Sequence, residues 1–200
     1  MTSEERAPLS REAAKAQTRE ALVDAAMAAF AEEGLDTPSL DAICARAGYT
    51  RGAFYVHFKD RDDLVAAVME RVIGQLIEAF VASGAALDLR KTIRGFAASV
   101  AQGAFPTPSA VLSHQLMQAC ARSSYLRERY ASLLRGAMNR VAEVARQGQA
   151  EGSLRKDVDP ERLGELLVAI VLGVQTLTEL ELRVDASGAG ASLIRMLETE

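Results

Sequence analysis

Apolar residues recur along this chain at intervals of three and four, the period of a helix with one face turned to a core. Leu22, Ala25, Ala26, Ala29 and Phe30 form the first stripe and predict a helix from about Ser10 or Arg11 to Glu33, stopped by Gly34. Leu40, Ile43, Cys44 and Ala47 repeat the spacing over a shorter stretch, with Ser39 placed to cap its start and Gly48 to end it in a left-handed conformation. Directly after Gly48 and Tyr49, Thr50 can cap a third helix that runs to about His57. Lys59-Asp60-Arg61-Asp62 opens a long fourth helix with Leu64, Val68, Val72, Leu76 and Phe80 inward, broken at Ser83-Gly84-Ala85. A fifth helix is expected from Leu89 to Gln102, stopped near Gly103 and the Pro106/Pro108 pair, and a sixth from Ser109 to Ala121. The seventh is long, with Leu126, Tyr130, Leu133, Leu134, Ala137, Val141 and Val144 on its buried face up to Gly148 or Gly152. Asp159-Pro160 reads as the cap and first residue of an eighth helix reaching Arg183, and Ser187-Gly188 separates a short ninth. No sustained alternation of period two appears, so the pattern predicts an all-α chain of about nine helices.

Composition narrows the class. Apolar residues make up 49% and charged residues 25% of the 200 positions, with 14 Gly and 5 Pro, which excludes a disordered, collagen-like or linker-rich chain. The greasiest stretch, Leu163 to Leu182, is interrupted by Glu165, Glu179 and Glu181, so no membrane span is expected. The first residues, MTSEERAPLSREAAKAQ, lack the apolar core of a secretion signal, and Cys44 and Cys120 make neither a disulfide framework nor a zinc site. These features place the chain in the cytoplasm, with no metal and no cofactor expected.

Charge changes the picture locally rather than globally. A net charge of −4 argues against a protein that coats nucleic acid by bulk electrostatics. Residues 46–61, however, carry Arg46, Arg51, Lys59 and Arg61 against Asp60 alone. Within that window, residues 39–58 read as a short helix, a tight turn and a second short helix, an arrangement whose second helix can lie in a DNA major groove. Phe54 and Phe58, four apart, can anchor the second helix to the first two, leaving Thr50, Arg51, Gly52, Tyr55 and His57 on the other face. Arg51 is the residue type that reads guanine by paired hydrogen bonds, and Gly52 and Ala53 leave room for the backbone to approach base edges. Tyr55 and His57 are short-range donors suited to phosphate oxygens.

The run from Thr18-Arg19 through Phe30, Gly34 and Ser39-Leu40-Asp41-Ala42-Ile43-Cys44-Ala45-Arg46-Ala47-Gly48 to TRGAFYVHFKDRDDL resembles the TetR family of transcriptional repressors. The last stretch is most similar to the AcrR-like branch, often associated with control of multidrug efflux. The likeness covers roughly the first third of the chain; beyond it only the helix count and the EGSLRKDVDP turn are similar. The resemblance implies a tail (1–10), a three-helix helix-turn-helix DNA-binding domain (11–60) and a helical ligand-binding and dimerisation domain (61–200). It implies that Thr50, Arg51 and Gly52 face bases, that Tyr55 and His57 contact phosphates, and that Ser39 donates to phosphate at its helix N-terminus. Arg61 stands where the family usually has a lysine, and the phosphate contact of that position is expected to survive. Tyr49 stands where Val or Ile is more frequent, and Cys44, on the apolar stripe, reads as core packing.

The eighth helix is apolar on two faces, one carrying Leu163, Leu166, Ile170, Val174 and Leu177, the other Leu167, Val171, Thr178 and Leu182. So much apolar circumference requires burial on both sides, one of them against a second subunit, with Leu167, Val171 and Leu182 expected at the dimer interface. The resemblance implies that the last two helices form a four-helix interface and that a twofold dimer addresses a palindromic double-stranded operator. Phe96, Phe105, His114, Met117, Gln118, Tyr125, Met138, Gln175 and Thr178 are the candidates to line a largely apolar cavity for a small-molecule inducer that releases the operator. An enzyme is disfavoured: the two histidines lie in different halves, no glycine-rich phosphate loop occurs and no carboxylate–histidine cluster has metal spacing. The alternative is a ligand-binding or protein-interaction dimer that has lost DNA binding, against which Arg51, Tyr55, His57 and Arg61 argue.

Overall fold

In the computed structural model, residues 10–81, 88–105 and 113–197 are described, the side chains of 76–81 and 113 excepted. Among the described residues the chain forms nine helices and no strand: α1 (Arg11–Glu33), α2 (Leu40–Ala47), α3 (Arg51–Tyr55), α4 (Arg61–Val81), α5 (Leu89–Ala101), α6 (Ser113–Arg122), α7 (Ser124–Ala150), α8 (Pro160–Glu179) and α9 (Ala186–Leu197). The expected side chains of Leu76 and Phe80, the break at Ser83-Gly84-Ala85, the Pro106/Pro108 pair and the start of α6 at Ser109 lie outside the described residues.

Local chemistry sets the helix ends. Ser39 and Thr50 accept hydrogen bonds from the Ala42 and Ala53 amides at 3.1 and 3.2 Å, satisfying donors that the first turns of α2 and α3 leave free. Gly48 ends α2 at φ 76°, with Tyr49 N–H reaching back to the Cys44 carbonyl at 2.9 Å.

Three boundaries differ from the sequence reading. Helix α3 stops at Tyr55 rather than His57, because the amides of Val56 and His57 turn to the carbonyls of Ala53 and Phe54, tightening the last turn so that Phe58 enters the core. Helix α8 stops at Glu179, since Glu181 adopts φ 57° and Leu182 N–H returns to the Leu177 carbonyl at 2.9 Å. This is the glycine-type helix stop made without glycine. Ser187-Gly188 does not precede α9 but lies inside it: the Asp185 carboxylate accepts the Gly188 amide at 2.9 Å and caps the helix one turn earlier.

Two apolar clusters hold the chain. The first joins α1 to α4 with parts of α6 and α7, centred on Leu22, Phe30, Ile43, Phe54, Phe58 and Leu64, each at most 2% exposed. The second joins α5, α7, α8 and α9 through Ile93, Val144, Ala145, Leu163, Leu167 and Ile194. Where α7 crosses α8, a Cβ on Gly164 would stand 2.4 Å from the Met138 carbonyl oxygen, so only glycine permits that approach, and the contact fixes the rotational phase of α8.

Candidate nucleic-acid interface and ligand cavity

The face of α2–α3 away from the first cluster carries Ser39, Thr50, Arg51, Gly52 and Tyr55, all exposed. The capping oxygens of Ser39 and Thr50 accept amide protons, which leaves each hydroxyl hydrogen to donate outward. A Cβ on Gly52 would meet only the Thr50 hydroxyl, at 3.7 Å, so the first turn of α3 is open to close approach. Arg51 rests between Asp41 (3.3 Å) and the Tyr55 hydroxyl (3.4 Å), its guanidinium 5.9 Å from the Tyr55 ring centroid. These contacts are long and exposed, and a better acceptor replaces them at small cost. Phe54, fully buried and 5.4 Å from the Phe58 ring, anchors this helix from behind.

His57 is half-buried at the edge of the face. Burial pushes its imidazole below the ordinary value, and Lys15 and Arg19 of α1 push the same way. Arg19 also lies 5.1 Å above the Phe58 ring. The sequence reading gave Arg19 no role of its own. Its signal was the four-residue spacing of Arg11, Lys15 and Arg19, one face of α1.

The local charge excess is smaller than the sequence suggests. Arg46 is held by both carboxylate oxygens of Glu32, at 2.6 and 2.5 Å. Arg61 does not face outward to a phosphate. Its guanidinium donates to the carbonyls of Pro38 and Leu35, both at 2.7 Å, and lies 5.5 Å from the Phe30 ring, tying α4 to the α1–α2 connection. A fork of donors matches two converging carbonyls in a way an ammonium does not, which explains arginine at a position where lysine was expected.

The cavity has a volume of about 150 Å³ between α4, α5, α7 and α8, with Leu116 of α6 in its wall. Phe96, Phe105 and Gln175 line it; Phe96 and Phe105 meet edge to face at 4.9 Å. The other candidates lie elsewhere. Helix α6 turns Leu116, Ala119 and Cys120 inward, which puts His114, Met117 and Gln118 on its exposed side. His114 stands 3.8 Å from Glu179. Tyr125 donates to Asp63 at 3.1 Å at the junction of α7 with α4. Met138 lies at the α7–α8 crossing, and the Thr178 hydroxyl donates to the Val174 carbonyl of its own helix at 2.8 Å. Tyr130 and Arg140, neither of them among the cavity candidates, also line the cavity; their distances of seven and three residues from Ala137 on the α7 stripe were the available signal.

The phase of α8 also corrects two of the three expected dimer residues. Leu167 and Val171 face the cavity of their own chain, and Leu182 is exposed beyond the helix end. The outward stripe is Leu166, Ala169, Ile170, Gly173 and Leu177, continued by Leu180. Cys44 and Cys120 are buried, and burial pushes both thiols up, which suits packing rather than reactivity.

Cavity and recognition face are joined through α6 and the start of α7. Gln115, beside Leu116, accepts the Leu35 amide at 2.7 Å; one nitrogen of Arg122, Nη2, donates to both Asp36 oxygens at 2.8 Å; Ser123 donates to Asp62 at 2.6 Å. Further along, Arg129 pairs with Glu70, and Arg71 with Glu20 and Asp24. Among the described residues no group of His, Cys, Asp or Glu is arranged to hold a metal ion, and no helix is long and apolar enough to cross a membrane.

An exposed, doubly capped helix-turn-helix linked by side-chain contacts to an apolar cavity is the layout of a helix-turn-helix transcriptional regulator. Residues 22–68 match the family described as bacterial regulatory proteins, tetR family, and residues 84–187 match the tetracyclin repressor-like C-terminal domain. The chain belongs to the TetR family, whose members are transcriptional regulators and not enzymes. The HTH-type transcriptional regulator AcrR of Shigella flexneri is 43% identical over 54 residues, 27% of this chain and 25% of AcrR, so the match spans about a quarter of that relative. Among solved structures, a TetR-family regulator from Rhodococcus sp. aligns with a TM-score of 0.78 at 20% identity over 92% of this chain and 100% of its own, a likeness of fold. SmeT in complex with triclosan aligns with a TM-score of 0.69 at 28% identity over 92% of each chain.

Proposed function

We propose that this protein is a cytoplasmic, ligand-responsive repressor that binds a palindromic operator as a homodimer and leaves it when a small, largely apolar inducer enters the cavity. Residues 11–60 form the DNA-binding domain and residues 61–200 the ligand-binding and dimerisation domain. The observation that carries this reading is the direct tie between the two sites: Leu116 walls the cavity while its neighbour Gln115 holds the Leu35 amide. In the bound state Thr50, Arg51 and Gly52 address base edges, while Ser39, Tyr55 and His57 address phosphates. Arg51 exchanges Asp41 for its base. The outward stripe of α8 pairs with its copy and sets the spacing of the two recognition helices to one DNA turn. A ligand releases the operator to the extent that it prefers the arrangement in which α6 and α4 have moved. The structure of SmeT with triclosan supports a small-molecule ligand in this fold.

The test is a gel shift on the DNA upstream of the protein's own coding region, repeated across a salt series. Specific retention that weakens steeply with salt is expected. Arg51→Ala combined with Tyr55→Ala abolishes retention while sizing still reports a dimer. Specific retention by the double variant would show that other residues read the operator.

A further inference from the structure

Among the described residues the cavity wall is apolar with one formal charge, Arg140 of α7. Two other arginines of α7 are committed, Arg129 to Glu70 and Arg146 to Glu143 and Glu161. Among the described residues Arg140 has no carboxylate or carbonyl partner, and it is exposed while lining the cavity, which places it at the rim. The other polar members of the wall are neutral, and two are already engaged. The Thr92 hydroxyl donates to the Asp88 carbonyl at 3.1 Å and the Gln175 amide to Glu179 at 3.3 Å. From this arrangement we infer that the cavity takes a small aryl carboxylate, its ring among the apolar side chains and its carboxylate on Arg140. The inference rests on the reading of this cavity as the ligand site.

Size, shape and charge each contribute. About 150 Å³ is the scale of an apolar cavity that admits a single benzene ring. A ring is favoured over a chain because Phe96 and Phe105 already present an edge-to-face pair that a third ring can extend. At the rim, a carboxylate matches the donor fork of the guanidinium in two parallel hydrogen bonds. An amine would be repelled there. A neutral alcohol would gain ring burial and leave the guanidinium to water. Glu179, only 10% exposed, does not line the cavity and is occupied by Gln175.

The experiment titrates the full-length protein calorimetrically with phenylacetate, phenylethanol and phenylethylamine, one skeleton carrying an anion, a neutral group and a cation. Phenylacetate is expected to bind about tenfold more tightly than either analogue, the scale of one charge-assisted contact at an exposed rim. Arg140→Gln should bring phenylacetate down to the level of phenylethanol without weakening phenylethanol itself, which shows that the cavity is intact. Arg135→Gln, an exposed arginine of the same helix outside the cavity wall, should leave the preference unchanged. Equal binding of the three, tightest binding of the amine, persistence of the acid preference in Arg140→Gln, or no binding at all would each overturn the proposal. Operator retention by the unliganded protein, measured on the same preparations, reports separately on the regulator reading. Its loss with ligand preference intact would overturn the regulator alone.

Discussion

Around Phe54 and around Gln175 the same chain solves opposite problems. Phe54 has no exposed surface, and α2 and α3 are held by caps, a helix stop and two rings in contact. Around Gln175, four helices enclose a cavity, and the far side of α8 leaves Leu166, Ile170, Leu177 and Leu180 in solvent. The first region is complete within one chain, because a recognition helix must hold its side chains in fixed register to read DNA. The second leaves apolar surface, which the proposed function fills with a ligand on one side and a second copy on the other.

The largest test of that contrast deletes one apolar side chain from each region. Phe54→Ala should cost about 3–5 kcal/mol, as for a fully buried ring, and should abolish operator binding. Leu172→Ala removes a side chain that faces existing empty space and should cost well under half as much. Urea denaturation at fixed protein concentration compares the two, since the apparent stability of a dimer depends on concentration. Equal losses would mean that the ligand region is packed as tightly as the helix-turn-helix.

The next effect concerns Arg61, which ties α4 to the α1–α2 connection. Arg61→Ala strips the Leu35 and Pro38 carbonyls of their donor and should cost about 1–3 kcal/mol. The salt dependence of operator binding should not change, because both arms of the guanidinium are held by backbone carbonyls. A slope reduced by about one counterion, with stability unaffected, would restore the phosphate role that the sequence suggested. Arg61→Lys separates the two further: it keeps the charge and loses the fork.

What the sequence disclosed divides along the same line. Ser39, Gly48 and Thr50 act on atoms within a few residues of themselves, so their roles follow from spacing alone. Phe54 and Phe58 were legible for the same reason, four apart on one helix. The partners of Arg61 lie 23 and 26 residues earlier, and Gln115 reaches an amide 80 residues away. No local pattern encodes such pairings. On α8 the sequence showed two apolar faces, and the face of Leu167 and Val171 was expected at the dimer interface although the pattern alone does not distinguish the two. The close crossing at Gly164 decides it, turning Leu167 and Val171 to the cavity and Leu166 and Ile170 outward. The phase of α6, which turned His114 and Met117 out of the cavity, was hidden in the same way.

The smallest expected effect is a pH dependence at the edge of the recognition face. His57 titrates below its ordinary value of 6.5 because burial, and then Lys15 and Arg19, disfavour the imidazolium. In the free protein this group contributes stability that is present above 6.5 and is lost as pH falls toward the depressed folded value, since the unfolded chain binds the proton more readily. A DNA phosphate beside His57 neutralises the influence of the two cations and accepts a hydrogen bond from the charged ring, so binding raises the value and takes up a proton. Operator affinity should therefore fall as pH rises, by about threefold between pH values of about 6 and about 8, the scale of part of one proton. His57→Asn keeps a hydrogen-bond donor and removes the titration, so its affinity should be flat over that range. A wild-type profile equally flat would place His57 away from the phosphates and leave Lys15 and Arg19 as the contacts at that edge.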